Sequence, residues 1–279
     1  MFLQICWTAL LGGSAAAGGG VISAQDVVVA CVPQDIDAVS LIDRTPDGVF
    51  VDVSGRRFLP VDIRSGALTA AQAGHLEYTG VSTDLGRFEA IPAGPVNRWG
   101  LVPAWIIEYR DDTRYLFQAI QLERGEALFA PKLADGVCAD LLRGVERSAR
   151  SQELGIWKDP ENAPFRETWR VKEFGGLTGR YVIARGRIVS LGKTRSTRYL
   201  NFGNFWKTDF TVTWKSADED SFDATLGRSG WRIEDLKGKT VEVRGVVQMR
   251  DGPLVTLRHP EQLVVLENKR AARGGQNSD

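Results

Sequence analysis

The chain has 279 residues, of which 43% are hydrophobic, and it contains 8 tryptophans. This composition excludes an intrinsically disordered protein, and the length allows two domains that each bury a core. The formal net charge is zero, which excludes strong steering of a polyanion by the whole molecule. The charge is unevenly divided, since residues 1–160 hold 14 basic and 20 acidic residues, whereas residues 161–279 hold 21 and 15. We therefore expect only the second half to meet a polyanion.

The first 24 residues, MFLQICWTALLGGSAAAGGGVISA, carry no charge and are rich in apolar and small residues. This pattern predicts a signal peptide over residues 1–24, cleaved near Ala17 or Ala24, and so export to a periplasm. A short membrane anchor is the alternative, but glycine and serine interrupt the apolar run before the roughly 20 residues that a span needs. We expect no membrane span after cleavage.

Three cysteines bear on this prediction, because Cys6 would leave with the signal peptide. Cys31 and Cys138 then remain as an even pair in an oxidising compartment, which predicts a disulfide between them. Two buried free thiols are the alternative. The two histidines, His75 and His259, are isolated and offer no metal-ligand spacing with the cysteines. The pattern predicts no metal site and no cofactor.

Residues 25–158 are predicted to form a first domain of short strands closed by one long helix. The earliest predicted strand is Val27–Val32, and a short helix is predicted over residues 66–79. In the stretch Ala134–Ile156, apolar residues recur every three or four positions, which predicts an amphipathic helix with one buried stripe. Several strands followed by one closing helix indicate an α+β, mainly β, barrel-like domain.

Residues 159–177, which contain prolines and the pair Gly175-Gly176 near their end, are predicted to be a linker. Residues 178–267 then contain five main strands, and Gly186 can bend the first of them, so a small closed OB-like barrel is expected. Residues 216–230 are predicted to be an acidic, polar connection between strands. The tail, residues 268–279, is predicted to be disordered.

A basic and aromatic stretch begins the second domain. No Asp or Glu occurs between Phe174 and Thr208. Cations that follow phosphates beside rings that stack on bases are typical of barrels that bind single-stranded nucleic acid. The alternative is that the rings are core and the cations keep an exposed face soluble. The predicted phosphate-binding residues are Arg185, Arg187, Lys193, Arg195 and Arg198, and the predicted stacking residues are Tyr199, Phe202 and Trp206.

Several stretches resemble the staphylococcal-nuclease-like (thermonuclease) family and its two-domain exported bacterial relatives. Residues 55–67, GRRFLPVDIRSGA, resemble the family's GRRVRLAGIDAPE, and residues 97–104, NRWGLVPA, resemble DRYGRLPA. The helix that precedes Trp157 is similar to the family's closing helix. Residues 199–203, YLNFG, and 209–212, DFTV, match a pattern of the two-domain relatives. The resemblance covers about 85% of the chain and implies two small OB-like barrels, the first with a closing C-terminal helix.

The resemblance also implies a chemistry in which acidic residues hold Ca²⁺, a Glu positions the water, and two Arg clamp the phosphate. In the gapless match the metal-binding Asp falls on Arg64 and the Glu falls on Ala67. The two arginines fall on Leu59 and Leu101. The expected result is a nuclease fold without catalytic residues.

A register shifted by two residues restores Arg57 and Asp62 but places Ser65 at the position of the Glu. A site built from Arg57, Asp62 and Arg64 is therefore the fallback for an active Ca²⁺-dependent phosphodiesterase. The favoured hypothesis is an exported module that binds single-stranded nucleic acid or another polyanion through the second barrel. A third hypothesis is an envelope module that binds a protein partner.

Overall fold

The structure of the chain is a computed structural model that describes residues 24–65, 86–159, 163–205 and 207–266. Several predictions fall outside these residues: the signal peptide up to residue 23, the helix over residues 66–79, the ring of Trp206 and the tail 268–279. Within the described residues, no helix is both long enough and apolar enough to cross a bilayer.

The first half of the chain forms a closed barrel of five strands. The strands lie in the order Arg57–Pro60 (β3), Phe50–Asp52 (β2), Val39–Arg44 (β1), Phe88–Pro92 (β5) and Leu101–Arg110 (β6), and β3 pairs in parallel with β6 to close the barrel. Buried rings of Phe50, Phe58 and Phe117 fill the interior, so the predicted barrel is confirmed. The strands of this half are β1 (Val39–Arg44), β2 (Phe50–Asp52), β3 (Arg57–Pro60), β4 (Ile63–Ser65), β5 (Phe88–Pro92), β6 (Leu101–Arg110), β7 (Thr113–Leu116) and β8 (Ala127–Phe129).

Helices cover one side of this barrel: α1 (Ala24–Cys31), α2 (Phe117–Glu123) and α3 (Gly136–Ser151). The strand predicted over Val27–Val32 is wrong, because this segment is helical and buries Val27, Val28 and Val32 in the core that it shares with α3. Tertiary packing therefore overrides the strand preference of a valine run. A disulfide joins Cys31 to Cys138 on α3, with an S–S distance of 2.03 Å, as predicted.

The closing helix α3 is the amphipathic helix that the sequence predicts. Its buried residues recur every three or four positions and include Cys138, Leu142, Glu146 and Ala149. Just beyond the end of α3, the chain at Leu154 packs against Gly125 of the first half. A Cβ on Gly125 would lie 2.3 Å from the carbonyl oxygen of Leu154, so a side chain there would push the end of the helix away.

The second half of the chain forms another five-stranded barrel. A long bent strand, formed by β10 and β11, pairs with both β14 and β12, and parallel pairing of β13 with β15 completes the closure. The predicted second OB-like barrel is confirmed. The strands of this half are β9 (Phe165–Glu167), β10 (Tyr181–Arg187), β11 (Ser190–Lys193), β12 (Thr197–Asn201), β13 (Thr211–Lys215), β14 (Thr240–Arg250), β15 (Gly252–Thr256) and β16 (Leu263–Val265).

Two connecting segments have more structure than the sequence indicates. The predicted linker, residues 159–177, contains strand β9, which adds to β10 in parallel, and a 3-10 turn at Val171–Leu177. The acidic connection, residues 216–230, contains helix α4 (Glu219–Arg228), which buries Phe222 and Leu226 against the second barrel. Both segments therefore pack on the barrel.

A buried ion network joins the two barrels. Arg244 on β14 is 1% exposed. It donates to Glu146 on α3 and to Glu242, each at 2.8 Å, and to the carbonyl oxygen of Phe129 at 2.9 Å. The other oxygen of Glu146 accepts from the backbone N–H of Phe129. Every charge in this network is therefore paired, which is what allows it to be buried.

A second polar contact secures the start of α3. The carboxylate of Glu261, in the loop before β16, accepts from Arg143 and from Arg228, and also from the backbone N–H of Gly136. An apolar cluster also joins the two halves, since Ile183 of β10 packs with Leu128, Ala149 and Trp157 of the first half. Apolar and ionic contacts together bind the barrels through α3.

Reduction of the disulfide tests the contribution of Cys31–Cys138. The bridge closes a loop of 107 residues, for which the chain-entropy model gives about 3–5 kcal/mol of stabilisation. We expect the urea midpoint to fall on addition of reductant. A Cys31→Ser, Cys138→Ser variant should start from the lower midpoint and not respond to reductant. A wild-type midpoint that is unchanged by reductant would contradict a stabilising role.

Replacement of Arg244 tests the ion network. Arg244→Met leaves Glu146 buried without its cation and Glu242 with Arg150 alone, so we expect the free energy of unfolding to fall by about 3–5 kcal/mol in urea denaturation. The matched control is Arg147→Met, because Arg147 lies exposed on the same helix as Glu146 and should change stability by less than about 0.5 kcal/mol. Similar midpoints for the two variants would refute the role of the network.

The same networks predict how stability depends on pH. Burial alone would raise the pKa of Glu242, but the charges of Arg244 and Arg150 outweigh it and lower that pKa. Burial would likewise raise the pKa of Glu261, but the hydrogen bonds and charges of Arg228 and Arg143 outweigh it and lower that pKa. A carboxylate with a lowered folded pKa stabilises the fold fully above its ordinary pKa, and this contribution is lost as the pH falls through the folded pKa.

We therefore expect the free energy of unfolding to decline as the pH is lowered from about 5 towards 3. The decline should be less steep in a Glu242→Gln, Glu261→Gln variant, which has no such carboxylates to protonate. Urea midpoints measured across this range provide the test. Parallel pH profiles for wild type and variant would show that these two groups do not carry the acid sensitivity.

Candidate nucleic-acid interface

Strand β10 presents two of the predicted phosphate-binding residues to solvent. Side chains alternate across a strand, and along β10 Arg185 and Arg187 are exposed whereas Ala184 and Gly186 are buried. The strand is held on one edge by β14 and on the other by β9. β10 is therefore paired on both sides at Arg185 and with β14 at Arg187.

A surface pocket of about 390 Å³ lies beside these arginines. Trp169, from the predicted linker, stands at its side with 70% of its surface exposed. An exposed indole beside cations is a surface on which a planar ring can stack. The pocket is lined by Glu167, Thr168, Trp169, Arg185, Gly186, Arg187, Val189, Phe202, Thr240 and Leu266.

Close backbone contact places Trp169 at the pocket. The N–H of Thr168 donates to the carbonyl oxygen of Arg185 at 2.8 Å, and Thr168 is only 3% exposed. A Cβ on Gly186 would lie 1.8 Å from the hydroxyl oxygen of Thr168. Glycine at position 186 is therefore required for the linker to lie on β10, and the next linker residue, Trp169, reaches the pocket as a result.

The two arginines of the pocket differ in their partners. A guanidinium nitrogen of Arg185 lies 2.8 Å from the carboxylate of Glu167, so its charge is balanced. Arg187 donates from Nε to the carbonyl oxygen of Gly238 at 2.9 Å, and no carboxylate of the described residues pairs with it. Because a carbonyl does not neutralise the cation, Arg187 is the member of the pair that keeps its charge for an anion.

Two other predicted cations are paired with acidic residues from later in the chain. Lys193 lies 2.7 Å from Glu219, at the start of α4. Arg198 is 4% exposed and pairs with Glu234, with Glu219 at 3.9 Å. The interval without acidic residues is thus partly neutralised by acidic residues that follow it.

The remaining predicted residues occupy different environments. Arg195 is exposed in the turn between β11 and β12, and Tyr199 is half-buried. Phe202 is 8% exposed and packs edge-on against Phe210 of the core, although part of it reaches the pocket wall. Trp206 lies outside the described residues, and its neighbour Phe205 is 74% exposed. The structure brings Arg185, Arg187 and Phe202 together at one pocket.

The fallback nuclease residues have separate surroundings. Asp62 is 2% exposed, and its carboxylate accepts backbone N–H groups of Lys132, Leu133 and Ala134. Burial raises the pKa of Asp62, and these hydrogen bonds oppose the rise. Arg57 is exposed at the start of β3, and Arg64 lies over the ring of Tyr181. Asp62 thus fastens the loop before α3, and a cation could reach it only by displacing that loop.

Among the described residues, no three side chains of His, Cys, Asp or Glu are grouped so as to hold a metal ion. The pocket wall offers one carboxylate, Glu167, which Arg185 already binds. The groups that the pocket presents are an aromatic face, a cation and apolar side chains. Such groups are of the kind that line small-molecule sites, where apolar and aromatic walls are combined with a few polar groups.

Sequence reasoning missed the contributions of Glu167 and Trp169, because both lie in the predicted linker. The available signal was a tryptophan flanked by Arg166 and Arg170 in a segment that otherwise lacks a buried stripe. The position of Trp169 beside β10 depends on the parallel pairing of β9 with β10. Local sequence patterns do not reveal this contact.

Comparison with known proteins adds no identity. No protein-family model matches the chain, and no curated protein matches it.

Proposed function

We propose that this chain is an exported, nuclease-like protein that lacks the family's catalytic residues and binds single-stranded nucleic acid or a similar polyanion through its second barrel. The observation that carries the proposal is the pocket on β10, where the exposed ring of Trp169 stands beside Arg187, whose charge no carboxylate of the described residues pairs. Aromatic stacking with a nearby cation is the usual means of holding a single strand without reading its sequence.

Other features support the remaining parts of the proposal. The Cys31–Cys138 disulfide is of the kind that forms in oxidising compartments, and it agrees with the signal peptide expected at residues 1–24. A five-stranded barrel closed by α3 is the architecture that the thermonuclease resemblance implies. The alternative of a Ca²⁺-dependent phosphodiesterase gains no support, since Asp62 is occupied by three backbone N–H groups.

Two substitutions in the pocket test the proposal with a fluorescently labelled single-stranded oligonucleotide in an anisotropy titration. Trp169→Ala should weaken binding about 5- to 150-fold, which corresponds to the loss of one stacked base. Arg187→Ala should weaken binding and also reduce the slope of log K against log salt by about 0.7, the value for one phosphate contact on a single strand.

The matched control for Arg187 is Arg147→Ala, which removes one exposed cation from α3. It should leave the affinity within about twofold of the wild type. Affinity that is insensitive to salt, or equally reduced by both arginine substitutions, would contradict binding at the pocket. The titration is repeated with Ca²⁺ and with chelator, and cleavage of the oligonucleotide in Ca²⁺ would contradict the absence of catalytic residues.

A further inference from the structure

The size and lining of the pocket restrict what it can hold. Its volume of about 390 Å³ falls at the lower end of the range for small-molecule sites, roughly 300–1,000 Å³. Val189 and Leu266, which are 38% and 45% exposed, provide apolar walls. Trp169 and Arg187 provide the ring and the charge. The pocket therefore combines an apolar surface with one cation, Arg187, that no carboxylate of the described residues balances.

Resting on the proposed function, we propose that this pocket accepts one nucleotide unit, whose base stacks on Trp169 and whose phosphate binds Arg187. Free inorganic phosphate would leave the apolar walls and the indole uncovered. A nucleoside without phosphate would leave Arg187 without its anion. A ligand that carries both groups satisfies the whole pocket.

An extended track for several phosphates is not favoured by the neighbouring charges. Lys193 and Arg198, farther along the same barrel, are held by Glu219 and Glu234. Of the other predicted cations of this barrel, Lys193 and Arg198 are already paired, and Arg195 is exposed in the turn between β11 and β12. We therefore expect one nucleotide to be the unit of recognition, and the other nucleotides of a longer strand to contribute less to the affinity.

Glu167 gives the pocket a preference for few phosphates. Its carboxylate lies in the pocket wall and is 26% exposed while it binds Arg185. Because Glu167 and Arg185 neutralise each other, a second or third phosphate placed next to the one on Arg187 would lose its hydration without gaining a cation. A monophosphate or an internal phosphodiester is therefore preferred over a triphosphate.

The experiment titrates the purified protein with AMP, adenosine, inorganic phosphate and ATP, both directly by calorimetry and in competition with the labelled oligonucleotide. We expect AMP to compete, and adenosine and inorganic phosphate to bind at least about tenfold more weakly than AMP. ATP should bind more weakly than AMP. Glu167→Gln should reverse or abolish this order, whereas Arg147→Ala should preserve it.

Trp169→Leu and Arg187→Ala should each weaken AMP binding about tenfold or more. If the oligonucleotide binds with an affinity that depends on Trp169 and Arg187 while AMP does not compete at millimolar concentration, the one-nucleotide pocket is wrong and the proposed function stands. If the oligonucleotide does not bind at all, the proposed function is wrong, and the direct AMP titration decides on the pocket separately. ATP binding more tightly than AMP would refute the role of Glu167.

Discussion

Arg244 is a fully buried cation at the boundary between two barrels, and its charge is balanced by Glu146 from one barrel and Glu242 from its own. Burial of an unpaired charge would be strongly unfavourable, so the fold is committed to keeping α3 against β14. The connecting segment runs along β10 as strand β9. Thr168 packs over Gly186, and Trp169 lies beside Arg187. The candidate site therefore depends on how the segment that connects the barrels packs on β10.

Folding pairs several cations of the basic stretch in the second barrel with carboxylates. The sequence contains a long interval without acidic residues. In the structure, Lys193 pairs with Glu219 and Arg198 pairs with Glu234. Arg185 pairs with Glu167. The sequence therefore indicates a continuous row of phosphate-binding cations, whereas the structure leads us to propose one pocket. The electrostatic part of binding is therefore expected to be small, and the aromatic and apolar contacts correspondingly important.

Much of the architecture could be predicted from local patterns. The spacing of Cys138, Leu142 and Ala149 fixes the buried face of α3, and the even pair of cysteines indicates the disulfide that the structure contains. The valine run of α1 has the local preference of a strand, but it is helical where it packs against α3. The position of Trp169 depends on parallel pairing of β9, and the ion pairs of the basic stretch join residues 18 to 36 positions apart. Such contacts leave no periodic signal in the sequence.

Photochemical cross-linking tests the central claim, that ligand binds between the linker and β10, most directly. An oligonucleotide carrying a photoreactive base is irradiated with the wild-type protein, and the linked peptide is identified by mass spectrometry. The account predicts that the link forms within the peptide that contains Trp169, because this exposed ring is the stacking surface of the pocket. A link at Phe205, or on the first barrel near Arg57 and Arg64, would contradict it.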